Sequence, residues 1–181
     1  MPLCEAGVKE AEANVPTIRA LGVRRIVCST GRRSYQTAQL YGAALDLPVG
    51  SAPQIRELDH GAWEGRKVEE LLVCADSAYA QWLADPGSVA IPGAGETVKA
   101  AQERAVGAVR NAAFSLRGEP VLIVGHKHIN ALLMCALLKE PLERFRSHIV
   151  EDTLPRLIPA HAIEGLRLRP RPHGGREPRG N

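Results

Sequence analysis

One stretch decides the fold of this chain: it reads Val121-Leu122-Ile123-Val124-Gly125-His126-Lys127-His128 and leads into residues 129–133. Four consecutive apolar residues, three of them β-branched, predict a short and fully buried strand. The residues after His126 return to helical spacing, so a helix is expected where the strand ends. Open α/β sheets build active sites at such strand ends, and we therefore expect His126 to belong to the functional site.

Helical and strand patterns alternate along the rest of the chain. Apolar residues at three- and four-residue steps predict helices, and short apolar or β-branched runs predict strands. This alternation is typical of a layered α/β sheet. The predicted helices cover residues 3–21, 34–45, 68–72, 79–83 and 96–116, and the predicted strands or extended segments cover residues 23–29, 48–58, 121–124, 153–158 and 165–168.

The composition indicates one globular domain without a membrane anchor. The 181 residues are 45% apolar and 24% charged, and no apolar run approaches the roughly 20 residues that a membrane span needs. The first five residues show no secretory signal. The four cysteines form no Cys-x-x-Cys pair, which favours buried thiols in a reducing cytosol over a zinc site or a disulfide framework. We therefore expect a cytoplasmic protein with no membrane partner.

The net charge of +3 comes from the end of the chain. Four arginines and one glutamate in residues 169–181 give +3 there, so the remainder is balanced. This segment is rich in Pro, Gly and Arg and has no apolar anchor, which predicts a disordered basic tail after a domain of residues 1–168. A basic tail could contact a phosphate polymer. A solvated chain end is the favoured interpretation, and no nucleic-acid partner is expected.

A second stretch predicts an anion site: Ser29-Thr30-Gly31-Arg32-Arg33-Ser34-Tyr35-Gln36-Thr37-Ala38. It places small hydroxylated residues and two arginines where a strand ends and a helix begins. The N–H groups of a helix amino terminus bind anions, and an arginine adds a bidentate fork for phosphate oxygens. A cysteine phosphatase needs five residues between its Cys and Arg, whereas four separate Cys28 from Arg33. Taken alone, this stretch is better explained by surface arginines at a helix start.

Two carboxylates stand beside glycine-rich turns. Glu57 opens the run Glu57-Leu58-Asp59-His60-Gly61-Ala62-Trp63-Glu64-Gly65, where the backbone turns sharply and the carboxyl could hang over a cleft as a proton donor. By itself, Glu57 is better explained as a solvated loop carboxylate. Glu96 follows Gly93-Ala94-Gly95 and could be an ordinary first-turn acid of a helix, favoured by the helix dipole.

Five collinear motifs together resemble the histidine phosphatase superfamily, the phosphoglycerate mutase-like proteins. The resemblance covers residues 2–168 in the family's order and spacing. It implies a three-layer α/β/α domain with a mostly parallel central sheet, and a phosphomonoester hydrolase or mutase as the function. The run at residues 59–65 looks like the small phosphatase branch, so phosphatase is favoured. The motifs are Leu3-Cys4-Glu5-Ala6-Gly7, residues 29–38, residues 57–65, Gly95-Glu96-Thr97 and Val124-Gly125-His126.

The resemblance also implies roles for single residues. The family holds a phosphoryl group between two histidines and two arginines, and one histidine is transiently phosphorylated. Ser29 and Arg33 match the substrate-binding Ser-x-x-x-Arg motif, and His126 matches the second histidine, which donates to the transferring oxygens. Glu57 matches the acid that protonates the leaving alcohol, and Glu96 matches a pocket-shaping acid. The expected ligand is a small phosphorylated metabolite, with no cofactor or metal required.

One part of the family pattern is missing from this sequence. Members open with a central strand ending in Arg-His-Gly, whose histidine is the nucleophile, and no such motif precedes residue 3. The 181 residues are therefore expected to be inactive or nearly so. A late start codon is the favoured explanation, and a degraded gene or a partner that supplies the strand are the alternatives. The oligomeric state, including a homodimer, is left open.

Other departures concern individual positions, and two rival functions stay open. His60 stands where the family often has an aromatic residue, so packing is expected for it, and Lys127 and Ala131 replace residues typical of many members. One rival is a non-catalytic remnant that still binds a phosphorylated ligand. The other is a metal-dependent hydrolase that uses His126 and His128. The pattern His-x-His-x-Asp-His is not met, because Asn130 and Ala131 occupy its last two places.

Overall fold

The structure is a computed structural model and describes residues 2–73, 77–93, 95–115, 119–150 and 153–165. The predicted tail at residues 169–181 and residues 166–168 of a predicted strand lie outside these ranges. None of the described helices is long and apolar enough to cross a membrane. The elements are α1 (Glu5–Ala20), β1 (Arg25–Cys28), α2 (Arg32–Leu45), β2 (Val49–Ser51), α3 (Val68–Leu71), α4 (Ala78–Ala84), α5 (Val98–Ser115), β3 (Val121–Val124), α6 (Lys127–Leu137) and α7 (Ala160–Glu164), with short 3₁₀ segments at Pro53–Ile55, Gly61–Trp63 and Leu142–His148.

The strands form a parallel sheet in the order β2-β1-β3. Ile26 of β1 lies opposite Val49 of β2 and Leu122 of β3. Alternate side chains of β1 face opposite sides of the sheet, so Ile26 and Cys28 pack with α1 and α2, while Val27 packs toward α5 and α6. Helices therefore cover both faces of a parallel sheet, which confirms the predicted α/β fold.

The structure contradicts one predicted strand and shortens another. Within the described ranges, residues 153–159 form no strand. Pro155 has no N–H for a strand ladder, and Leu154 and Leu157 are 65% and 70% exposed, so their apolar pattern does not reflect burial. The extended segment predicted at residues 48–58 is a strand only at Val49–Ser51, because the chain turns in the 3₁₀ segment Pro53–Ile55.

The pairing of β1 with β3 determines where the site can lie. Cys28 lies opposite Val124, and the Ser29 N–H donates to the Val124 carbonyl at 3.0 Å. Two parallel strands thus end side by side, and the residues that follow them meet at one edge of the sheet. Helices α2 and α6 begin three or four residues further on, so their amino termini lie at the same edge.

A buried aromatic cluster anchors the segment between β2 and α5. The rings of Trp63 and Tyr79 lie 5.1 Å apart, those of Trp63 and Trp82 lie 5.5 Å apart, and Trp82 meets Phe145 at 6.0 Å. Edge-to-face contacts of this kind stabilise a core beyond the area they bury. The cluster fixes the short segment Gly61–Trp63, and with it the loop that begins at Glu57.

Candidate active site

The first flank of the site lies where β1 and β3 end. The Ser29 hydroxyl is 2.7 Å from His126 Nε2 and accepts the Gly31 N–H at 3.1 Å. The Ser34 hydroxyl donates to the Gly125 carbonyl at 2.7 Å, which ties α2 to the turn before α6. Ser29 and Ser34 are buried, whereas His126 is half-buried. We call this group, Ser29, Gly31, Arg33, Ser34 and His126, the phosphate flank.

Glycine at position 31 allows the His126 ring to approach α2. A Cβ added at Gly31 would lie 2.6 Å from Cε1 and 2.8 Å from Nε2 of His126. Real side chains do not approach this closely, so any larger residue would displace the ring. Gly31 is also the N-cap of α2, and the free N–H groups of that helix follow directly.

The charges around His126 are those of an anion site. Burial lowers the pKa of His126, and the charges of Arg33 and Arg104 lower it further, although the negative charge of Glu57 acts in the opposite direction. Arg33, in the first turn of α2, is exposed and close enough to act on the imidazole. An arginine, a histidine and a helix amino terminus at one sheet edge are groups that can bind phosphate oxygens.

The second flank centres on Glu57, whose carboxylate lies at the amino terminus of α6. Its Oε1 accepts the Leu58 N–H at 2.9 Å and the Ile129 N–H at 3.3 Å. Its Oε2 lies 3.4 Å from the His128 N–H and 3.3 Å from His128 Nδ1. Glu57 therefore serves as a cap for α6 from a distant loop, because it accepts N–H groups that have no partner within the helix.

These contacts keep Glu57 ionised. Burial by itself would raise the pKa of Glu57, but hydrogen bonds from the His128 ring and the Leu58 N–H, with the fields of His128 and His126, lower it from 4.5 to about 2. A carboxyl that hydrogen bonds hold in its charged form titrates at lower pH. The field of His126 on Glu57 also shows that the two flanks lie within electrostatic range.

Glu96 has a different environment from that of Glu57. Its carboxylate is paired with Arg104 through two hydrogen bonds, lies 3.6 Å from Arg56, and accepts the Asp59 N–H at 3.1 Å. Burial would raise the pKa of Glu96, yet Arg104 and the Asp59 N–H lower it. The Thr97 hydroxyl accepts the Ala100 N–H at 3.1 Å and so caps the first turn of α5. Glu96 thus joins the Glu57 loop to α5 and does not serve as a helix-capping acid.

Arg104 is a residue that the sequence did not identify. Its guanidinium donates to the carbonyls of Gln54, Arg56 and Glu57 in addition to Glu96. These bonds fix the backbone that carries Glu57. The available signal was weak: Arg104 lies eight residues after Glu96, about two helical turns along α5, and many surface pairs share that spacing. We call Glu57, Glu96, Arg104 and His128, with the adjacent His60, the carboxylate flank.

His60 and His128 complete the carboxylate flank. Their ring centroids lie 4.8 Å apart in an edge-to-face arrangement, and His60 Nδ1 is 4.0 Å from Glu64. Burial lowers the pKa of His60, and the neighbouring charge of His128 lowers it further. His60 packs at the edge of the site, against the ring that contacts Glu57. The sequence did not predict the contact of His128 with Glu57, because the two residues lie 71 positions apart.

The structure brings most of the predicted residues together. Ser29 and His126 are in contact, and the charges of Arg33 and Glu57 both shift the pKa of His126. Glu96 is linked to the loop that carries Glu57, because it accepts the Asp59 N–H and is paired with Arg104, which donates to the Glu57 carbonyl. A groove of about 520 Å³ between α5 and strands β1 and β2 is lined by Arg104 but by none of Ser29, Arg33, Glu57 or His126. The predicted site residues therefore lie at the sheet edge and not in this groove.

The metal hypothesis finds no set of ligands in the described part of the chain. Groups of three or more His, Cys, Asp or Glu side chains that could hold an ion do not occur there. His126 contacts Ser29, whereas His128 contacts Glu57, so the two predicted ligands have separate partners. Zinc sites need three or four protein ligands.

Comparisons with known proteins agree with this geometry. The sequence profile of the histidine phosphatase superfamily (branch 1) matches residues 1–155. Phosphoserine phosphatase 1 of Hydrogenobacter thermophilus is 29% identical over 145 residues, which span 80% of this chain and 68% of that protein. The Yersinia pestis protein named Probable phosphoglycerate mutase GpmB is 27% identical over 168 residues, or 93% and 69% of the two chains. The solved structure of Bacillus stearothermophilus YhfR matches with a TM-score of 0.72 and 28% identity, over 88% of this chain and 75% of that one.

Proposed function

Because the chain belongs to the histidine phosphatase superfamily, whose profile spans residues 1–155, we propose that its site binds the phosphoryl group of a small phosphorylated metabolite for phosphomonoester hydrolysis. The observation that carries this proposal is the meeting of His126 and Ser29 with the Glu57 carboxylate beside two helix amino termini. One flank offers positive charge and N–H donors, and the other offers a carboxyl for proton transfer. Phosphoryl transfer requires this combination.

Each residue has a defined role in the proposed reaction. Arg33, His126 and the N–H groups that begin α2 neutralise the phosphate oxygens and hold the phosphorus in line for attack. The Glu57 carboxyl gives a proton to the leaving alcohol oxygen as its bond to phosphorus breaks, and later accepts a proton from the attacking water. Glu96 and Arg104 take no part in bond changes, because they fix the loop that carries Glu57.

Turnover needs an acceptor for the phosphoryl group. We propose that the 181 residues bind phosphate but turn over phosphomonoesters slowly, because the sequence has no Arg-His-Gly motif. A phosphatase is favoured over a mutase by the run at residues 59–65 and by the relative named a phosphoserine phosphatase. The second candidate is a non-catalytic domain that binds phosphorylated ligands, and the same missing motif favours it.

The first prediction tests the phosphate flank directly. Isothermal titration with inorganic phosphate should show binding to the wild-type chain, and R33A and H126A should each weaken it by about tenfold or more, because each removes a charge-assisted hydrogen bond. H148A is the matched control, since His148 pairs with Glu140 away from the site. Equal affinity in all four proteins would contradict the proposed cradle.

Hydrolysis of p-nitrophenyl phosphate separates the two candidate functions. The 181 residues should show little turnover, and a version extended by the codons upstream of Met1 should show more if they encode the missing histidine. Rapid turnover by the 181 residues alone would show that they already contain the phosphoryl acceptor. Phosphate binding with no turnover in either version would favour the non-catalytic domain.

A further inference from the structure

The role proposed for Glu57 conflicts with its environment in the free protein. A general acid must carry a proton when the leaving oxygen departs. Hydrogen bonds and nearby positive charge instead keep the pKa of Glu57 at about 2, so the carboxyl is ionised at neutral pH. Glu57 therefore needs a proton donor within reach when substrate is bound, and its hydrogen-bonded neighbours are the first candidates.

The contacts of Glu57 identify that neighbour. Oε1 is bonded to the backbone N–H groups of Leu58 and Ile129, and a backbone amide does not release its proton near neutral pH. Oε2 faces the His128 ring, with Nδ1 at 3.3 Å. Imidazole gains and loses a proton between pH 5 and 8. Among these partners, the ring of His128 is the one that can supply a proton.

We propose that His128 is the positioning residue that orients Glu57 and supplies its proton. The inference rests on the proposed function, because it explains how the acid of that reaction obtains its proton. The side chain of His128 is 26% exposed and that of Glu57 is 32% exposed, so solvent reaches both groups of the pair.

The proton count of the step balances. Protonated His128 transfers the proton on Nδ1 to Glu57 Oε2 when a phosphoryl dianion approaches His126 and raises the energy of the Glu57 carboxylate. Glu57 then gives a proton to the leaving alcohol oxygen as its bond to phosphorus breaks, and the phosphoryl group ends on the oxygen of an attacking water. The pair is then a carboxylate and a neutral imidazole. The proton that the attacking water releases passes through Glu57 to His128, which restores the starting state with no net proton from solvent.

The other charged groups near this pair do not replace His128. Burial lowers the pKa of His60, which packs edge-on against the His128 ring with Glu64 on its outer side. Burial also lowers the pKa of His126, whose Nε2 is bonded to Ser29. The permanently charged guanidinium of Arg104 contacts the Glu57 carbonyl and not the carboxylate.

The test uses inorganic sulfate, which stays a dianion between pH 6 and 8, so any change in affinity comes from the protein. Three variants are compared with the wild-type chain. H128N keeps an N–H donor near the position of Nδ1 but cannot titrate, and H128L loses both functions. H148Q is the matched control: His148 Nε2 lies 3.0 Å from Glu140 in a second histidine–glutamate pair of similar exposure.

Wild-type protein and H148Q should lose about tenfold in sulfate affinity from pH 6 to pH 8, the effect of one nearby charge in a partly exposed site. H128N and H128L should lose less than about threefold, because the group that titrates is absent. Carboxyl NMR supplies a second measurement: H128L should raise the pKa of Glu57 by about one unit or more, and H128N by less.

The outcomes distinguish the two proposals. Sulfate binding with an unchanged pH slope in H128N overturns the role of His128 and leaves the phosphate cradle intact. An unchanged Glu57 titration in H128L overturns the positioning role in the same way. If the wild-type chain binds neither sulfate nor phosphate, the proposed function fails, and the proton supply to a leaving group fails with it.

Discussion

The phosphate flank and the carboxylate flank of the site are held together by different means. On the phosphate flank, Ser29 and His126 follow two paired parallel strands, so the sheet itself brings them together. On the carboxylate flank, side chains reach across distant segments, as Arg104 does to the Gln54 carbonyl and His128 to the Glu57 carboxylate. Topology therefore builds the first flank, and individual side-chain hydrogen bonds build the second.

The carboxylate flank contains its own contrast, between Glu57 and Glu96. Both carboxyls have a lowered pKa, because hydrogen bonds outweigh the effect of burial. The partner of Glu96 is an arginine, which stays charged at every accessible pH. The partner of Glu57 is a histidine ring, which can give up a proton where a guanidinium cannot. A carboxylate paired with arginine is suited to hold a loop, and one paired with histidine is suited to move a proton.

The largest expected effect concerns the structural pair. R104L removes the bonds to three backbone carbonyls and leaves Glu96, whose side chain is only 13% exposed, without its main partner. The free energy of unfolding should fall by about 3 kcal/mol, the usual cost of leaving one member of a buried pair. Urea unfolding at pH 7 measures this loss in the free energy of unfolding.

R56A is the control for this measurement. It should change stability by less than about 1 kcal/mol, because Arg56 is an exposed partner of Glu96. A loss below this control value in R104L would show that side-chain pairing does not hold the carboxylate flank.

The second prediction concerns the pH dependence of stability that Glu57 produces. The pKa of Glu57 is about 2 in the folded protein against an ordinary value of 4.5, so its contribution is fully present above pH 4.5 and is lost as the pH falls toward 2. The contribution should be about 1–2 kcal/mol, reduced from the full shift because the side chain is partly exposed. Urea midpoints at several pH values should show a flatter profile for E57Q.

E64Q is the matched control for that measurement. The Glu64 side chain is 81% exposed, so E64Q should keep the wild-type acid dependence. The same steep loss of stability below pH 4.5 in E57Q would mean that other carboxyls are responsible. The contrast between Glu57 and an exposed loop carboxylate would then disappear.

The smallest expected effect tests the phosphate flank through two glycines. G31A would push a methyl group against the His126 ring and separate it from Ser29, so phosphate affinity should fall about fivefold, the value of one hydrogen bond. G107A is the control, because no atom lies within 4 Å of its added Cβ and the residue is inside α5. It should leave affinity unchanged and stabilise the protein by about 0.5–1 kcal/mol. Equal phosphate affinity in both variants would show that close approach to Gly31 is not needed.

Prediction from the sequence succeeded where a pattern is local. The strand at residues 121–124 agrees with β3, and the helix predicted at residues 96–116 agrees with α5. The strand predicted at residues 153–158 was wrong, because a short apolar segment shows only that the chain could pair and not that a neighbouring strand is present. The roles of Arg104 and His128 were missed for a related reason, because their partners Gln54 and Glu57 lie 50 and 71 residues away in the sequence.

The sequence by itself determined the alternation of helices and strands, the place of the Ser29-to-Arg33 motif between a strand and a helix, and the histidine at the end of β3. Those features follow from spacing and residue type within about ten residues. Only the tertiary structure decided that Glu57 caps α6 beside His128, while Glu96 is paired with Arg104. The physical reason is that the environment of a carboxylate depends on which distant groups fold against it, and that environment sets whether it holds a loop or carries a proton.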